Sequence, residues 1–571
     1  MGKSIINIFA VLNDSPQILE YFGSYKNKLS IRSLIGLIIL ITASSCNPTK
    51  YISEGETLLE RNYIDVNTGE ISKSELTRYV RQQPNKRIFG ARFHLGLYNW
   101  SNLEKDNWFH TWLRNIGEEP VVYDPYATGR SKDQIKSFLH SKGYFDSNVM
   151  ETIETAKKRS KVYYDIEVKT PYVIDALQYD IEDENLLRLI LFDSINCLIR
   201  SGKPYDVDVM IAETLRLEKF IRDQGFYGFS NEYISMEVDS TIGNRRVSIT
   251  YKVTNANSPD RSAVQKTIPH SHYRLRKVFI HPEFSPGRAL SEGAGYYNSL
   301  DTVLYNGYYF IAPPGKPLIR YNLLAQSLFI NPGATFNLSN TERTQKRLNS
   351  LRTFRLVNIN YIEPDSYTVS PDGDRYIDAV IQLAPFSQQS FTFELEGTNS
   401  AGNLGAAVNL LYQHKNLFHG AEQFNMKLKG AYEALNEEVT GFRSAQELGA
   451  EANLQLPEFL LPFFKTGNFI RKYDPKTYFK LAYNYQRIPV FTRTVANATF
   501  GYNWNSGRSN THLLFPFQLN LVKLPYIDPD FSLRIDSSFY LSSSYRDVLI
   551  LGGSYTYTFN NQNILRKRDN T

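Results

Sequence analysis

The chain has 571 residues, enough for several domains, and 64 Lys plus Arg stand against 58 Asp plus Glu. A formal charge of only +6 argues against a dedicated nucleic-acid surface. A mean hydropathy of −0.37 excludes a polytopic helical membrane protein, but not a β-barrel, whose strands are half polar. The 39 Tyr and 35 Phe suit strands better than a helical bundle.

The two cysteines, Cys46 and Cys197, are too few for a disulfide framework or a Cys-based zinc site. Cys197 lies in the apolar run from Leu186 to Leu198 and reads as a small buried hydrophobe rather than a reactive thiol. Around Cys46 the pattern is different. Lys26, Lys28 and Arg32 precede the apolar stretch Leu34 to Ile41, and the small residues Thr42-Ala-Ser-Ser45 follow. That is the order of a signal peptide, with an apolar core well short of the ~20 residues of a spanning helix. A cysteine directly after the small residues resembles a lipobox, in which Cys46 becomes a diacylated mature N-terminus. Ala43 stands where a lipobox usually has Leu, so an uncleaved anchor or a plain signal peptide remain the alternatives. The 25 residues before the basic region are long for such a signal, which a misassigned start would explain.

Three segments then share one grammar. The first runs from Pro120-Val-Val-Tyr123 through a helical stretch, Ser131 to His140, to Lys142-Gly143-Tyr144-Phe145 and the alternating strand Val162 to Val168. The second runs from Pro204-Tyr205-Asp206 through Leu215, Leu217 and Phe220 to Gln224-Gly225-Phe226-Tyr227 and the strand Val247 to Val253. The third runs from Pro332-Gly333 and Phe336-Asn337 to Arg352-Thr353-Phe354 and the strand Tyr376 to Leu383. In the first two, 20 positions separate the leading tyrosine from the glycine. Gly143 and Gly225 are expected to cap helices in the left-handed region, with the aromatic pair opening a strand. In the second unit residues 171–182 read as a first strand, and a helix of about Glu184 to Arg200 ends at Ser201-Gly202. Residues 276–284 open the third unit, and Asn255 to His270 read as a linker. Insertions are expected at Ile88 to Trp112 and Arg288 to Ile319. The resulting order, strand, helix, helix, strand, strand, resembles the POTRA domain, a periplasmic polypeptide-binding module, and three in tandem strengthen the match.

From Phe391 onward no helical period appears. Eight dyad segments follow, near 391–398, 404–414, 421–433, 444–456, 477–487, 491–504, 511–522 and 546–560. Their length and terminal aromatics are the signature of transmembrane barrel strands; a soluble β-sandwich is the weaker reading. In the first strand Phe391, Phe393 and Leu395 share one face, and Thr392, Glu394 and Glu396 the other, which therefore should avoid lipid.

Lipobox, POTRA-like units and barrel together resemble the BamA/TamA outer-membrane assembly superfamily. Asn416-Leu417-Phe418 with Gly420 is similar to the recurrent turn after that family's second barrel strand, and the lipidated start is similar to the lipoprotein variant TamL. The resemblance implies an α+β series of periplasmic modules followed by an antiparallel transmembrane β-barrel: a signal peptide at 1–45, POTRA-like domains at 46–170, 171–255 and 271–386, and the N-terminal part of an outer-membrane β-barrel at 391–571. Family barrels have sixteen strands, so about half is expected here, as an open sheet with both edges unpaired. The resemblance also implies the function: the modules bind extended client polypeptides by β-augmentation and the seam edge at Phe391, Phe393 and Leu395 templates insertion, without nucleotide. The alternative is a two-partner-type secretion pore or surface-antigen receptor for one dedicated substrate; a purely structural barrel is a third. Expected partners are the outer-membrane bilayer, unfolded outer-membrane protein clients and a large envelope-spanning protein, with no nucleic acid. The nine histidines are scattered, and His270 and His272 read as a solvated loop pair rather than metal ligands. Residues 398–402 lack the first glycine of a nucleophile elbow, and no P-loop, GxGxxG or HExxH occurs. No enzyme activity, cofactor or metal is expected.

Overall fold

A computed structural model of the chain describes residues 47–88, 90–257, 267–364, 373–400, 403–435, 443–460, 467–507, 509–537 and 539–560. Cys46 lies outside the described residues.

The first module comprises β1 (Leu58–Val66), α1 (Lys73–Leu76), α2 (Phe93–Trp100), α3 (Trp108–Ile116), α4 (Pro125–Ser141), β2 (Asn148–Ala156) and β3 (Arg159–Glu167). Its sheet runs β1-β3-β2, with β1 and β3 parallel and β2 and β3 a hairpin. The alternation in β3 buries Val162, Tyr164 and Ile166 against Leu76, Ile135 and Leu139. The expected insertion is the pair α2 and α3.

The second module repeats the order with β4 (Val173–Ile181), α5 (Glu184–Phe192), α6 (Val207–Asp223), β5 (Ile234–Asp239) and β6 (Arg246–Val253), in the sheet order β4-β6-β5. The helix expected to reach Arg200 stops eight residues earlier, at Phe192, and Ser194–Asn196 form a single 3₁₀ turn. Asp193, Ser194 and Asn196 supply short polar side chains that compete with helical hydrogen bonds. Cys197 is buried as expected, and burial pushes its thiol up. The linker contains a two-residue ladder between β7 (Ala256–Asn257) and β8 (Thr267–Ile268).

The third module begins with β9 (Tyr273–His281). Its insertion holds α7 (Pro286–Glu292), α8 (Ala294–Asn298), β10 (Asp301–Tyr305) and β11 (Tyr308–Ala312); α9 (Tyr321–Gln326), α10 (Leu338–Ser350), β12 (Phe354–Ile362) and β13 (Arg375–Pro385) complete it. β11 joins β9 in parallel, so the insertion widens the sheet to β10-β11-β9-β13-β12. Val278, Ile280, Phe310, Leu324, Leu348, Ile377 and Ile381 form its core.

All three long helices begin alike. Asp124 accepts from the Tyr126 N–H at 2.9 Å, Asp206 from Asp208 at 2.9 Å, and Asn337 from Asn340 at 2.8 Å. They also end alike, in a positive-φ residue: Gly143 (+84°), Gly225 (+105°) and Arg352 (+56°). The aromatic pair does not open a strand in the first two modules, where β2 starts at Asn148 and β5 at Ile234. Only in the third does Phe354 open its strand.

The final part is an eight-stranded antiparallel meander: β14 (Gln389–Ser400), β15 (Asn403–His414), β16 (Gln423–Leu435), β17 (Arg443–Leu456), β18 (Lys476–Ile488), β19 (Phe491–Ser506), β20 (Asn510–Ile527) and β21 (Val548–Phe559). All eight expected strands are present. The expectation of no helix after Phe391 is corrected by α11 (Gly467–Tyr473), α12 (Pro529–Asp536) and α13 (Phe539–Ser544). These helices of six to eight residues are too short to show a periodicity, although Asp528-Pro529 is a legible start: the Asp528 carboxylate accepts from Asp530 and Phe531.

Candidate functional site: a sheet edge and the joints between modules

The meander is open among the described residues. β14 ladders with β15 and β21 with β20, and no ladder joins β14 to β21. The outer edge from Gln389 to Thr398 therefore presents unladdered backbone, a template for another strand. Phe391, Phe393 and Leu395 lie at this edge and are 69%, 63% and 72% exposed.

Register carries the two-faced character of β14 across the sheet. One cross-strand row reads Phe391, Tyr412, Met426, Ala452, Leu481, Ala498, Leu519, Leu551. The next reads Phe393, Leu410, Leu428, Ala450, Tyr483, Ala496, Leu521, Leu549. The four alanines in these rows line a hollow of about 390 Å³ on the apolar face. The opposite face holds Glu394, Glu396, Lys427, Lys429, Glu447, Glu451 and Lys480. There the Asn409 amide donates to Glu396 at 2.8 Å, while Lys429 and Asn484 each donate to Glu447 at 2.8 Å. One face is apolar and the other charged. A charged side chain on the wrong face of a lipid-embedded sheet costs ~2–4 kcal/mol at mid-depth.

The turn at 416–420 after β15 is tied to the third module. Asn416 donates from its amide to the Leu318 carbonyl at 2.7 Å, and the His419 ring lies 3.0 Å from the same oxygen. Arg320 donates to the Phe418 carbonyl at 2.7 Å. Buried Glu422 closes the turn from within, accepting from the Phe418 and Gly420 N–H groups, each at 2.9 Å. Arg347 of α10 pairs with Asp474 before β18, and Arg471 donates to the Leu328 carbonyl at 2.9 Å.

Gly143 and Gly225 prove to be joint residues as well as caps. A Cβ on Gly143 would lie 2.8 Å from the Tyr205 carbonyl. The Tyr172 N–H donates to Gly143 at 2.9 Å, and the Phe145 ring packs on Tyr172 and Tyr205 at 5.0 and 5.2 Å. The second joint copies the first. A Cβ on Gly225 would lie 2.2 Å from the His272 ring. The Tyr273 N–H donates to Gly225 at 3.0 Å, and the Tyr227 ring packs on Tyr273 and Phe336 at 5.7 and 5.1 Å. The aromatic after each Gly-aromatic step thus bridges to the next module instead of starting a strand. Ions support both joints: Lys142 reaches Asp206 and Asp208 at 2.7 and 2.8 Å, and Asp223 accepts from the Ser339 backbone and hydroxyl.

The solvated histidine pair is a further correction. His270 is buried, its N–H donates to Asp183 at 2.9 Å, and its ring meets Phe229 and Tyr233. His272 holds Asp374 at 2.8 Å, and Arg274 holds the other oxygen of that carboxylate at 2.6 Å. Burial pushes the Asp374 carboxyl up, but the Arg274 hydrogen bond and the His272 charge outweigh it and hold the group below the usual range. Sequence spacing could not place Asp374, 102 residues away, beside His272. Among the described residues no cluster of His, Cys, Asp or Glu has metal-binding geometry.

Residues 62–170 match the family model "POTRA: Surface antigen variable number repeat". No curated protein sequence matches the chain. Among solved structures, POTRA domains 3–5 of Haemophilus influenzae BamA align at 11% identity over 58% of this chain and 99% of theirs, with a TM-score of 0.28. BamA of Haemophilus ducreyi lacking POTRA domains 1–3 aligns at 10% over 62% of this chain and 66% of its own, at 0.30. CdiB of Acinetobacter baumannii aligns at 10% over 62% and 65%, at 0.23. The chain thus spans about two thirds of these last two structures, and superpositions this loose carry no argument by themselves. What the chain shows is a match to the POTRA family over residues 62–170, two further modules of the same build, and a two-faced meander after them.

Proposed function

We propose that the chain is an outer-membrane protein-assembly factor, of the lipoprotein kind, whose POTRA modules hold extended clients in the periplasm and whose β14 edge pairs with a client strand. The observation that carries this reading is the unladdered edge from Gln389 to Thr398, with Phe391, Phe393 and Leu395 exposed beside it on the apolar face. A client strand added there exchanges main-chain hydrogen bonds for those it lacks in lipid, so no nucleotide is required. The polar face looks into the lumen, and acyl chains on Cys46 hold the N-terminus at the membrane.

Disulfide scanning tests the edge. In cells, Cys replacements at Phe391, Phe393 and Leu395 should crosslink to cysteines placed along a terminal strand of assembling barrel proteins, in one antiparallel register. A replacement at Leu448, inside the sheet, should not. Buried Cys197 stays silent. Crosslinks at Leu448 equal to those at the edge would refute strand pairing, and crosslinks to a single secreted polypeptide would favour the secretion-pore reading instead.

A further inference from the structure

The helical pair in the first module wears its apolar side outward. Leu95 and Leu113 are buried, but Phe93, Trp100, Trp108, Phe109, Trp112 and Ile116 are exposed, Trp108 at 80%. Phe109, Trp112 and Ile116 recur at i, i+3 and i+7, which places them on one stripe of α3. Phe109 stacks on Trp112 at 6.2 Å and meets Trp108 at 5.9 Å, so the cluster is organised. Three of the four tryptophans of the chain sit on these two short helices. Such a patch marks an interaction surface.

Three observations name its occupant. The first is position. The Asn47 carbonyl accepts from the Asn99 amide at 3.1 Å, and Lys50 donates to the Asn99 carbonyl at 2.7 Å. Tyr51 donates to the Ser101 carbonyl, and its ring meets Tyr98 edge-on at 6.2 Å. The residue bonded to Cys46 is therefore pinned to the last turn of α2, beside Trp100. The second is chemistry. From Phe93 to Ile116, Lys105 and Arg114 balance Glu104 and Asp106, and Arg114 pairs with Asp106 at 2.7 Å. The patch offers no net charge to steer a protein partner, but it offers the aromatic side chains that settle at the water–hydrocarbon boundary. The third is size. Helices of eight and nine residues extend about 12–14 Å, far short of a bilayer core but suited to lying in its surface.

We infer that α2 and α3 form an interfacial anchor, lying with Asn47 in the headgroup zone of a phospholipid bilayer. The first of these observations rests on the reading above in which Cys46 is acylated; the second and third stand without it. Trp100, Trp108 and Trp112 would bury their rings at the acyl boundary and hold the first module flat against the membrane.

The test uses the full chain carrying Trp504→Phe, so that every remaining tryptophan reports on the pair. The protein is reconstituted into phosphatidylcholine vesicles with and without bromine on the acyl chains. Brominated lipid should cut tryptophan emission by at least half, and acrylamide quenching should fall two-fold or more relative to lipid-free protein in urea. If Trp504→Phe does not fold, the emission difference between the wild type and Trp108→Phe supplies the same readout. Emission indifferent to bromine and open to acrylamide would overturn the proposal; so would emission shielded from both quenchers, which would mean that protein covers the patch. Intact mass of the same samples reads acylation separately. Quenching without added acyl mass supports the interfacial anchor and removes only the Cys46 lipid. Added acyl mass without quenching keeps the lipid and overturns the anchor.

Discussion

Replacing Gly225 by alanine tests the joint between the second and third modules. The backbone there sits at φ +105°, a region that costs a residue with a Cβ ~1–2 kcal/mol. The new Cβ would also lie 2.2 Å from His272 Nε2 and 2.8 Å from the Thr335 methyl. The imidazole cannot simply swing aside, because its other nitrogen holds Asp374 at 2.8 Å; giving up such a charge-assisted contact costs ~1.5–3 kcal/mol. The total is ~2.5–5 kcal/mol, towards the lower figure because the His272 side chain is 31% exposed. Gly202 supplies the control: φ is +79° and nothing lies within 4 Å of its built Cβ, so Gly202→Ala should cost only ~1 kcal/mol. Urea unfolding of the full-length protein in detergent would measure both, with hydrogen exchange at the Tyr273 amide, which donates to Gly225, as the local readout. Adding His272→Ala to Gly225→Ala should remove the collision with the imidazole, though not that with Thr335, leaving the pair less costly than the sum of the single changes. If Gly225→Ala and Gly202→Ala differ by less than ~0.5 kcal/mol, or if the pair is additive, the joint does not work as described.

Burial, together with a 2.9 Å hydrogen bond to Glu363, raises the Tyr273 phenol to about 12. The folded state thus holds this proton more tightly than the unfolded state, with its ordinary value near 10. The associated stability, roughly 2–3 kcal/mol, is complete below pH 10 and is lost as pH rises from 10 towards 12; in the urea-midpoint profile Tyr273→Phe should remove its share of the slope there, with Tyr144 and Tyr361, also raised to about 12, supplying the rest. Glu422→Ala should strand the Phe418 and Gly420 N–H groups at a cost of ~2–3 kcal/mol, speeding their hydrogen exchange by roughly 30- to 150-fold; unchanged exchange would show that the turn does not depend on this carboxylate. Intact mass of membrane-extracted protein should show loss of residues 1–45 and added acyl mass on Cys46, and a bare new N-terminus would remove the lipid anchor.

Local chemistry wrote much of this fold where a reader of the chain can see it. Alternation placed all eight strands of the meander, because a strand wet on one face must repeat every two residues. Gly143 and Gly225 announced helix ends, because the left-handed region disfavours any residue with a Cβ. The face shared by Phe391, Phe393 and Leu395 followed from the same period of two. The third cap was harder to read, since Arg352 takes the left-handed conformation without being glycine. Other features arise only when distant segments meet. His272 became a joint residue once the fold delivered Asp374 and the bare Cα of Gly225 to its two sides. The aromatics after the glycines belong to the next module's packing and not to their own strand. β10 and β11 widen the third sheet by a register with β9 that no local pattern encodes. The outward stripe on α3 is the sharpest case. Its helical period is plain in the letters, and period alone implies a buried face; only the placement of α2 and α3 on the first module turned that face towards solvent and brought it beside Asn47.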